Sequence, residues 1–190
     1  MAVHNIADPA LPLPQQIVVD TSLLLALRPT DDNPYVSVAR SFVRRMQAHI
    51  AAYEMIAWLP LPVLQECWHI ILANGLRRTW EGMPASSRAP NWLKAYKDQP
   101  DLLRPLLPDL SRFSDLLSAI PLTPVRLEDL ALHGGTESLG KRLFDLITAY
   151  HLLPQDALIL AQAERLGVNH VATLDREWRR ATSFEVYTVA

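Results

Sequence analysis

Residues 154–175, PQDALILAQAERLGVNHVATLD, constrain the fold of this chain more than any other stretch. Pro154 is typical of the first turn of a helix and Gly167 of the residue just after one. The apolar segment 168–173 then predicts a strand. A helix of about 11 residues and a strand of about 5 residues each cover roughly 17 Å. The chain therefore returns to its starting level, and Asp156 and Asp175 are expected at the same edge of a sheet.

The rest of the chain repeats this alternation of strands and helices. Short apolar runs predict strands at 17–19, 55–59 and 184–188, with an extended stretch ending near residue 127. A spacing of 3.6 residues between apolar positions predicts helices at 33–50, 110–120 and 139–150. A further helix is predicted at 62–74, with Gly75 as its end. This order indicates an α/β fold with a largely parallel sheet.

The length of 190 residues fits a single domain, 1–190. Residues 76–119 are rich in proline and predict an insertion of loops and short helices within it. The net charge of −2 argues against a protein that coats nucleic acid through bulk positive charge. A lone cysteine, Cys67, fits a reducing compartment. Without a signal peptide or an apolar run of roughly 20 residues, the chain is expected to be cytoplasmic, with no membrane segment.

Four carboxylates are expected at the carboxyl edge of the sheet, where open α/β sheets bind ligands. Asp20 follows the first predicted strand, and Glu66 lies about one turn into the helix after the second. Asp156 and Asp175 lie at the two ends of the helix–strand unit described above. Each aspartate alone has an ordinary explanation as a turn or helix-cap residue. Glu66 is harder to explain in that way, because its helix is otherwise apolar.

A cluster of these acids requires a counter-charge. Two carboxylates about 4 Å apart repel each other by roughly 4 kcal/mol at an effective dielectric constant near 20. An all-oxygen set of ligands favours Mg²⁺ or Mn²⁺ over zinc. Such ions activate water and neutralise a phosphodiester during in-line attack. The sequence therefore predicts a divalent metal site for phosphodiester chemistry.

The chain resembles the PIN-domain nucleases in three blocks: IVVDTSLLLAL, LPVLQECWHII and LLPQDALILAQAERLGVNHVATLDREW. The third block is the most specific, because an Asp-Ala that opens a helix, a Gly stop, a strand and Thr-x-Asp occur together in few other folds. The blocks cover the two ends of the chain and leave residues 76–119 uncovered. The resemblance implies a three-layer α/β sandwich in which helices flank a central, mostly parallel sheet.

The same resemblance implies a metal-dependent endoribonuclease that leaves a 5′-phosphate. Its catalytic and metal-binding residues would be Asp20, Glu66, Asp156 and Asp175, with Mg²⁺ or Mn²⁺ as cofactor. Ser22 and Thr173 match positions where the family often has a hydroxyl that supports the site. Many small bacterial members are toxins that form homodimers and are inhibited by an antitoxin protein. This chain departs from them in its longer central segment and in Glu177, where an additional Asp is common.

Arginines that follow the last acidic residue are candidate contacts to RNA phosphates: Arg176, Arg179 and Arg180. The sequence contains two other clusters of arginines. One consists of Arg40, Arg44 and Arg45, and the other of Arg77 and Arg78. A solvated helix face explains most clusters of this kind.

The main alternative is a PIN-like module without catalytic activity that binds RNA or another protein. Clustered negative charge does not help such a module. A di-iron site would need a second copy of the Glu66-x-x-His69 spacing, which the sequence lacks. The segment Asp20-Thr21-Ser22 has Ser22 where the phosphoaspartyl enzymes have a second aspartate. Residues 133–135, His-Gly-Gly, fit a flexible loop better than a phosphate-binding loop.

Overall fold

A parallel β-sheet lies at the centre of the structure, a computed structural model that describes residues 2–28, 33–125 and 136–189. In these residues the sheet has six strands in the order β1-β6-β5-β2-β3-β4, and all neighbours are parallel. The strands are β1 (Val3–Asn5), β2 (Gln16–Val19), β3 (Ile56–Leu59), β4 (Thr123–Pro124), β5 (His170–Ala172) and β6 (Glu185–Thr188).

Helices alternate with these strands along the chain, and the predicted α/β fold class is confirmed. The α-helices are α1 (Thr21–Leu25), α2 (Val36–Ala51), α3 (Leu61–Glu81), α4 (Trp92–Asp98), α5 (Leu107–Ser118), α6 (Thr136–Tyr150) and α7 (Pro154–Arg165). Short 3₁₀ helices lie at Ala85–Ser87, Pro100–Leu106 and Arg176–Arg180. The predicted His-Gly-Gly loop at 133–135 lies outside the described residues.

The core of the fold is built on the central strands. Ile17, Val18 and Val19 of β2 are buried, as are Val171 in β5 and Val186 in β6. Central strands of a parallel sheet are covered on both faces, so their sequences are continuously apolar rather than alternating. This is why the short runs in the sequence predicted strands at these places.

Gly167 ends α7 as predicted. Its φ of +68° is in the left-handed region. The amide of Gly167 donates to Glu164 O at 3.0 Å, and the amide of Val168 donates to Ala163 O at 2.9 Å. This pair of bonds is the Schellman motif, which suits glycine because it has no side chain to clash. The turn directs the chain from α7 into β5.

The prediction that Gly75 ends a helix is wrong. α3 continues through Gly75 to Glu81. A Cβ atom at Gly75 would lie 2.7 and 2.8 Å from the two Cδ atoms of Leu106. The glycine therefore serves close packing against the 3₁₀ helix Pro100–Leu106. In the sequence, a glycine needed for packing looks the same as one that stops a helix.

The chain divides into two compact units. The first contains Met1–Leu64 and Ile120–Ala190 and carries the whole sheet, while the second is Gln65–Ala119. The second unit begins inside α3, before residue 76, where the sequence predicted an insertion to start. Among the described residues, no helix is both long enough and apolar enough to span a membrane.

Candidate active site

Asp20 lies at the carboxyl edge of the sheet, between the ends of two neighbouring strands. It is the first residue after β2, and Thr173 is the first residue after β5. The two strands are parallel neighbours. The amide of Asp20 donates to Ala172 O at 2.9 Å, which continues the pairing by one residue. Residues 153 positions apart in the sequence are thereby brought into direct contact.

One oxygen of the Asp20 carboxylate is held by three hydrogen bonds. Oδ2 accepts from the Ser22 hydroxyl at 2.6 Å, from the Thr173 hydroxyl at 2.7 Å and from the Ser22 amide at 3.2 Å. Asp20 is also the N-cap of α1. Its side chain is 3% exposed, and Thr173 is fully buried. The position of this carboxylate is therefore tightly defined.

Backbone amides orient the two hydroxyl groups. Leu174 N donates to Ser22 Oγ at 2.8 Å, and Asp175 N donates to Thr173 Oγ1 at 3.0 Å. Each hydroxyl accepts from the backbone and has its proton available for Asp20. The two hydroxyl oxygens lie 3.0 Å from each other. The network thus connects the segment after β2 to the segment after β5.

Burial raises the pKa of Asp20 above its ordinary value. Hydrogen bonds from Ser22 and Thr173 oppose this rise, because they favour the ionised form. The donors in these bonds are neutral hydroxyl and amide groups. A neutral shell stabilises an ionised carboxylate less than a cation would.

Asp175 lies two residues beyond Thr173 and belongs to the same edge. Its carboxylate accepts from the amide of Glu177 at 2.8 Å and caps the 3₁₀ helix Arg176–Arg180. The side chain is partly exposed. The hydrogen bond from its own amide to Thr173 ties it to the Asp20 network.

Asp156 lies in the first turn of α7 and is partly exposed. The Nε2 atom of its neighbour Gln155 donates to Pro62 O at 2.9 Å. Pro62 comes shortly after the carboxyl end of β3, which pairs with β2. The start of α7 therefore lies at the carboxyl edge, as the lengths of helix and strand predicted. The sequence had not indicated Gln155, because a glutamine in a first helical turn has no distinctive pattern.

Glu66 belongs to the second unit and lies in the second turn of α3, where it is partly exposed. The apolar character of its helix is clear in the structure, since Val63, Cys67 and Ile71 are buried. The sequence singled out Glu66 for this contrast.

These acids do not form a finished metal-binding group. In the part of the chain that the structure describes, no three His, Cys, Asp or Glu side chains are grouped so that they could hold a metal ion. The donor type nevertheless suits a hard divalent cation, since all four predicted ligands are carboxylates. The ligand set of four acids stays a prediction.

The arginines that follow Asp175 differ from one another in the structure. Arg179 is partly buried and its Nη2 donates to Val189 O at 2.7 Å. Arg176 and Arg180 are exposed. Arg180 forms an ion pair with Glu177 at 3.6 Å and donates to His151 O at 3.3 Å. Arg179 thus supports the end of β6, while Arg176 and Arg180 face solvent.

In the other two clusters, Arg45 donates to the carbonyl oxygens of Asp8 and Leu11 and so fixes the N-terminal segment to α2. Arg40 donates to Leu27 O at 3.3 Å. Arg77 and Arg78 are exposed on α3.

Comparison with known proteins gives a family for this arrangement. The chain is similar to the crystal structure of FitAcB from Neisseria gonorrhoeae at 17% sequence identity and a TM-score of 0.40, over 90% of this chain and 96% of that chain. No curated protein matches it. Residues 17–183 match the PIN domain family, a span that includes all four acids, the whole second unit and most of the first. The chain belongs to the PIN-domain family, as its three motif blocks predicted.

Proposed function

We propose that this protein is a metal-dependent endoribonuclease that hydrolyses phosphodiester bonds of RNA. One observation carries the proposal: a PIN-domain chain holds the buried carboxylate of Asp20 at the carboxyl edge of its sheet, within a network of oriented hydroxyls. PIN domains are generally nucleases. The proposed ligands for Mg²⁺ or Mn²⁺ are Asp20, Glu66, Asp156 and Asp175.

The environment of Asp20 supports a role in metal binding rather than in stability. A buried, ionised carboxylate destabilises a fold unless it is well compensated. A turn or helix cap could be made as well by Asn or Ser, which carry no charge. The negative charge of Asp20 is expected at this position if the carboxylate binds a cation. The hydroxyls of Ser22 and Thr173 then hold the carboxylate in one orientation.

The other acids would complete the site from neighbouring elements. Asp175 lies two residues from Thr173, and Asp156 lies at the same edge through the contact between Gln155 and Pro62. Glu66 enters the set through the family resemblance and its position in the second turn of α3. A bound Mg²⁺ or Mn²⁺ supplies Lewis-acid stabilisation of the phosphate and activation of water.

Exposed arginines near the acids would bind and orient the RNA. Arg176 and Arg180 are exposed cations directly after Asp175 and are the proposed contacts to phosphate oxygens. Arg179 was predicted to share this role. Its bond to Val189 O supports instead a role in fixing the segment that carries its two neighbours.

The decisive experiment is cleavage of labelled single-stranded RNA by the purified chain. We expect cleavage with Mg²⁺ or Mn²⁺, loss of cleavage in EDTA, and recovery when metal is added back. The Asp20→Asn variant should remain folded and inactive under all conditions. Cleavage that is indifferent to EDTA and to Asp20→Asn would refute the proposal, and RNA binding without cleavage would favour the non-catalytic module.

A toxin role, with an antitoxin partner and a homodimeric state, is a further proposal that rests on the family resemblance. The neighbouring gene tests it directly, because a toxin should be preceded by a small gene whose product begins with a DNA-binding segment. Co-expression of that product should suppress RNA cleavage.

A further inference from the structure

Gln155 links the first turns of two helices at the carboxyl edge of the sheet. Its side-chain amide donates to Pro62 O at 2.9 Å, across 93 positions of sequence. Gln155 is the second residue of α7, and Pro62 is the second residue of α3. One hydrogen bond therefore joins the turn that contains Asp156 to the start of the helix that carries Glu66.

The carbonyl group that receives this bond is itself part of the helix. In an α-helix the carbonyl of residue i accepts from the amide of residue i+4, so the amide of Glu66 is directed at Pro62 O. A carbonyl oxygen has two lone pairs and can accept a second donor. Gln155 thus donates to the backbone of the first turn of α3. Because the acceptor is a backbone carbonyl, the bond does not depend on the conformation of a side chain of α3.

The two turns around this link contain buried as well as exposed residues, since Pro62, Val63 and Ala157 are buried. Leu61 and Leu153, which lie beside Pro62 and Pro154, are 51% and 67% exposed. Both helix starts also carry partial positive charge, which repels at short range. The hydrogen bond from Gln155 is a direct and directional contact between the two turns.

We infer that Gln155 is a positioning residue for the proposed metal site. It holds the start of α7, and with it Asp156, in a defined place relative to the start of α3. Mg²⁺ requires near-ideal octahedral geometry with ligand distances of about 2.0–2.1 Å, so small shifts of a ligand weaken binding. The inference rests on the proposed function, because it concerns the affinity of that same site.

The test compares two glutamine variants for binding of Mn²⁺. Gln155→Met keeps the length of the side chain and removes the donor. Gln16→Met is the matched control, because Gln16 is also partly buried and makes one side-chain hydrogen bond, in which its Oε1 accepts from Trp58 Nε1 at 3.0 Å. Gln16 lies at the start of β2, at the opposite edge of the sheet. Mn²⁺ binding is followed through the electron paramagnetic resonance signal of the free ion.

Both variants should lower the melting temperature by about 2–4 °C, as expected for one lost hydrogen bond. Only Gln155→Met should weaken Mn²⁺ binding, by about tenfold, which is the effect expected for a group that orients metal ligands. Equal affinity in Gln155→Met and the unaltered chain, or equal weakening in both variants, would overturn the inference. If the unaltered chain binds no Mn²⁺, the proposed function fails and the inference fails with it.

Discussion

The ionised carboxylate of Asp20 should lower the stability of the folded chain when no metal is bound, because burial raises its pKa. Three hydrogen bonds from Ser22 and Thr173 go to Oδ2 of its carboxylate, and the amide of Thr21 also donates to the carboxylate. The amide oxygen of Asn can take that place and accept the same three bonds. We therefore expect Asp20→Asn to be inactive on RNA and to unfold at a higher temperature than the unaltered chain at pH 7 in EDTA.

The difference in melting temperature between Asp20→Asn and the unaltered chain should depend on pH, and its direction follows from the raised pKa of Asp20. A carboxyl group whose pKa is raised by folding favours the folded state at low pH, and this contribution is lost as the pH rises through the folded-state pKa. The advantage of Asp20→Asn should hence vanish below the ordinary value of 3.8 and grow above it. Melting curves of both proteins in EDTA, from acid to neutral pH, measure this difference in stability. A variant less stable than the unaltered chain at pH 7 would contradict this account.

The hydroxyls of Ser22 and Thr173 should matter for metal affinity, since each donates to the carboxylate at Asp20. Partners that orient a metal ligand typically contribute 10- to 100-fold in affinity or activity. We expect losses of about that size in Ser22→Ala and Thr173→Val, measured as a higher Mg²⁺ requirement for RNA cleavage. Ser183→Ala is the control, because the hydroxyl of Ser183 is exposed and bonds to Tyr150 Oη at 2.7 Å. A Mg²⁺ requirement in Ser22→Ala equal to that of Ser183→Ala would contradict the role.

Residue-level prediction from the sequence worked where the backbone alone determines a position. Asp20 and Thr173 were expected at the ends of strands, and the structure joins them directly. The differences within a run of arginines could not be predicted. Whether Arg179 faces solvent or Val189 O depends on the turn of a 3₁₀ helix and on a strand end far away in space.

At the scale of elements, α2 ends in the same Schellman motif as α7, but with a tyrosine in the place of glycine. Tyr53 has a φ of +60°. Its amide donates to Ile50 O at 3.0 Å, and the amide of Glu54 donates to His49 O at 2.9 Å. The Tyr53 side chain is 98% exposed, so packing does not compensate for the left-handed backbone.

We expect Tyr53→Gly to increase the free energy of unfolding by about 0.5–1 kcal/mol, since glycine adopts this conformation without strain but loses more chain entropy on folding. Gly167→Ala, at the matching position of α7, should decrease it by about 1 kcal/mol. Urea unfolding measures both. A decrease in Tyr53→Gly would show that the tyrosine ring stabilises the fold.

The elements that escaped prediction are short or depend on partners. β1 has three residues, VHN, with a polar centre, and it exists because β6 pairs with it. α1 has five residues and was expected to be only a turn after Asp20. Periodicity needs a longer window than either segment offers. Long elements such as α2 and α7 carry several turns of pattern, and their predicted positions agree with the structure.

At the scale of the whole molecule, the PIN-domain match covers residues 17–183 and therefore includes the Pro-rich segment that the motif blocks left uncovered. The sheet and three of the four acids belong to one compact unit, and Glu66 belongs to the other. The motif blocks that indicated the family lie mainly in the sheet-bearing unit, where the strand ends are, and the second block extends into the other unit as far as Ile71. Proline-rich segments of irregular helices have no comparable periodic pattern.

The net charge of −2 means that attraction to RNA has to come from a few local cations. For single-stranded RNA, each neutralised phosphate contributes about 0.7 to the slope of log affinity against log salt concentration. We expect a shallow slope for this chain, and a decrease of about 0.7 in Arg176→Gln. Binding is measured in the Asp20→Asn background, so that the RNA stays intact. Lys141→Gln removes an exposed cation from α6 and serves as control. Equal slopes in Arg176→Gln and Lys141→Gln would show that Arg176 does not contact the phosphates, and the surface beside Asp175 would then not be where the RNA binds.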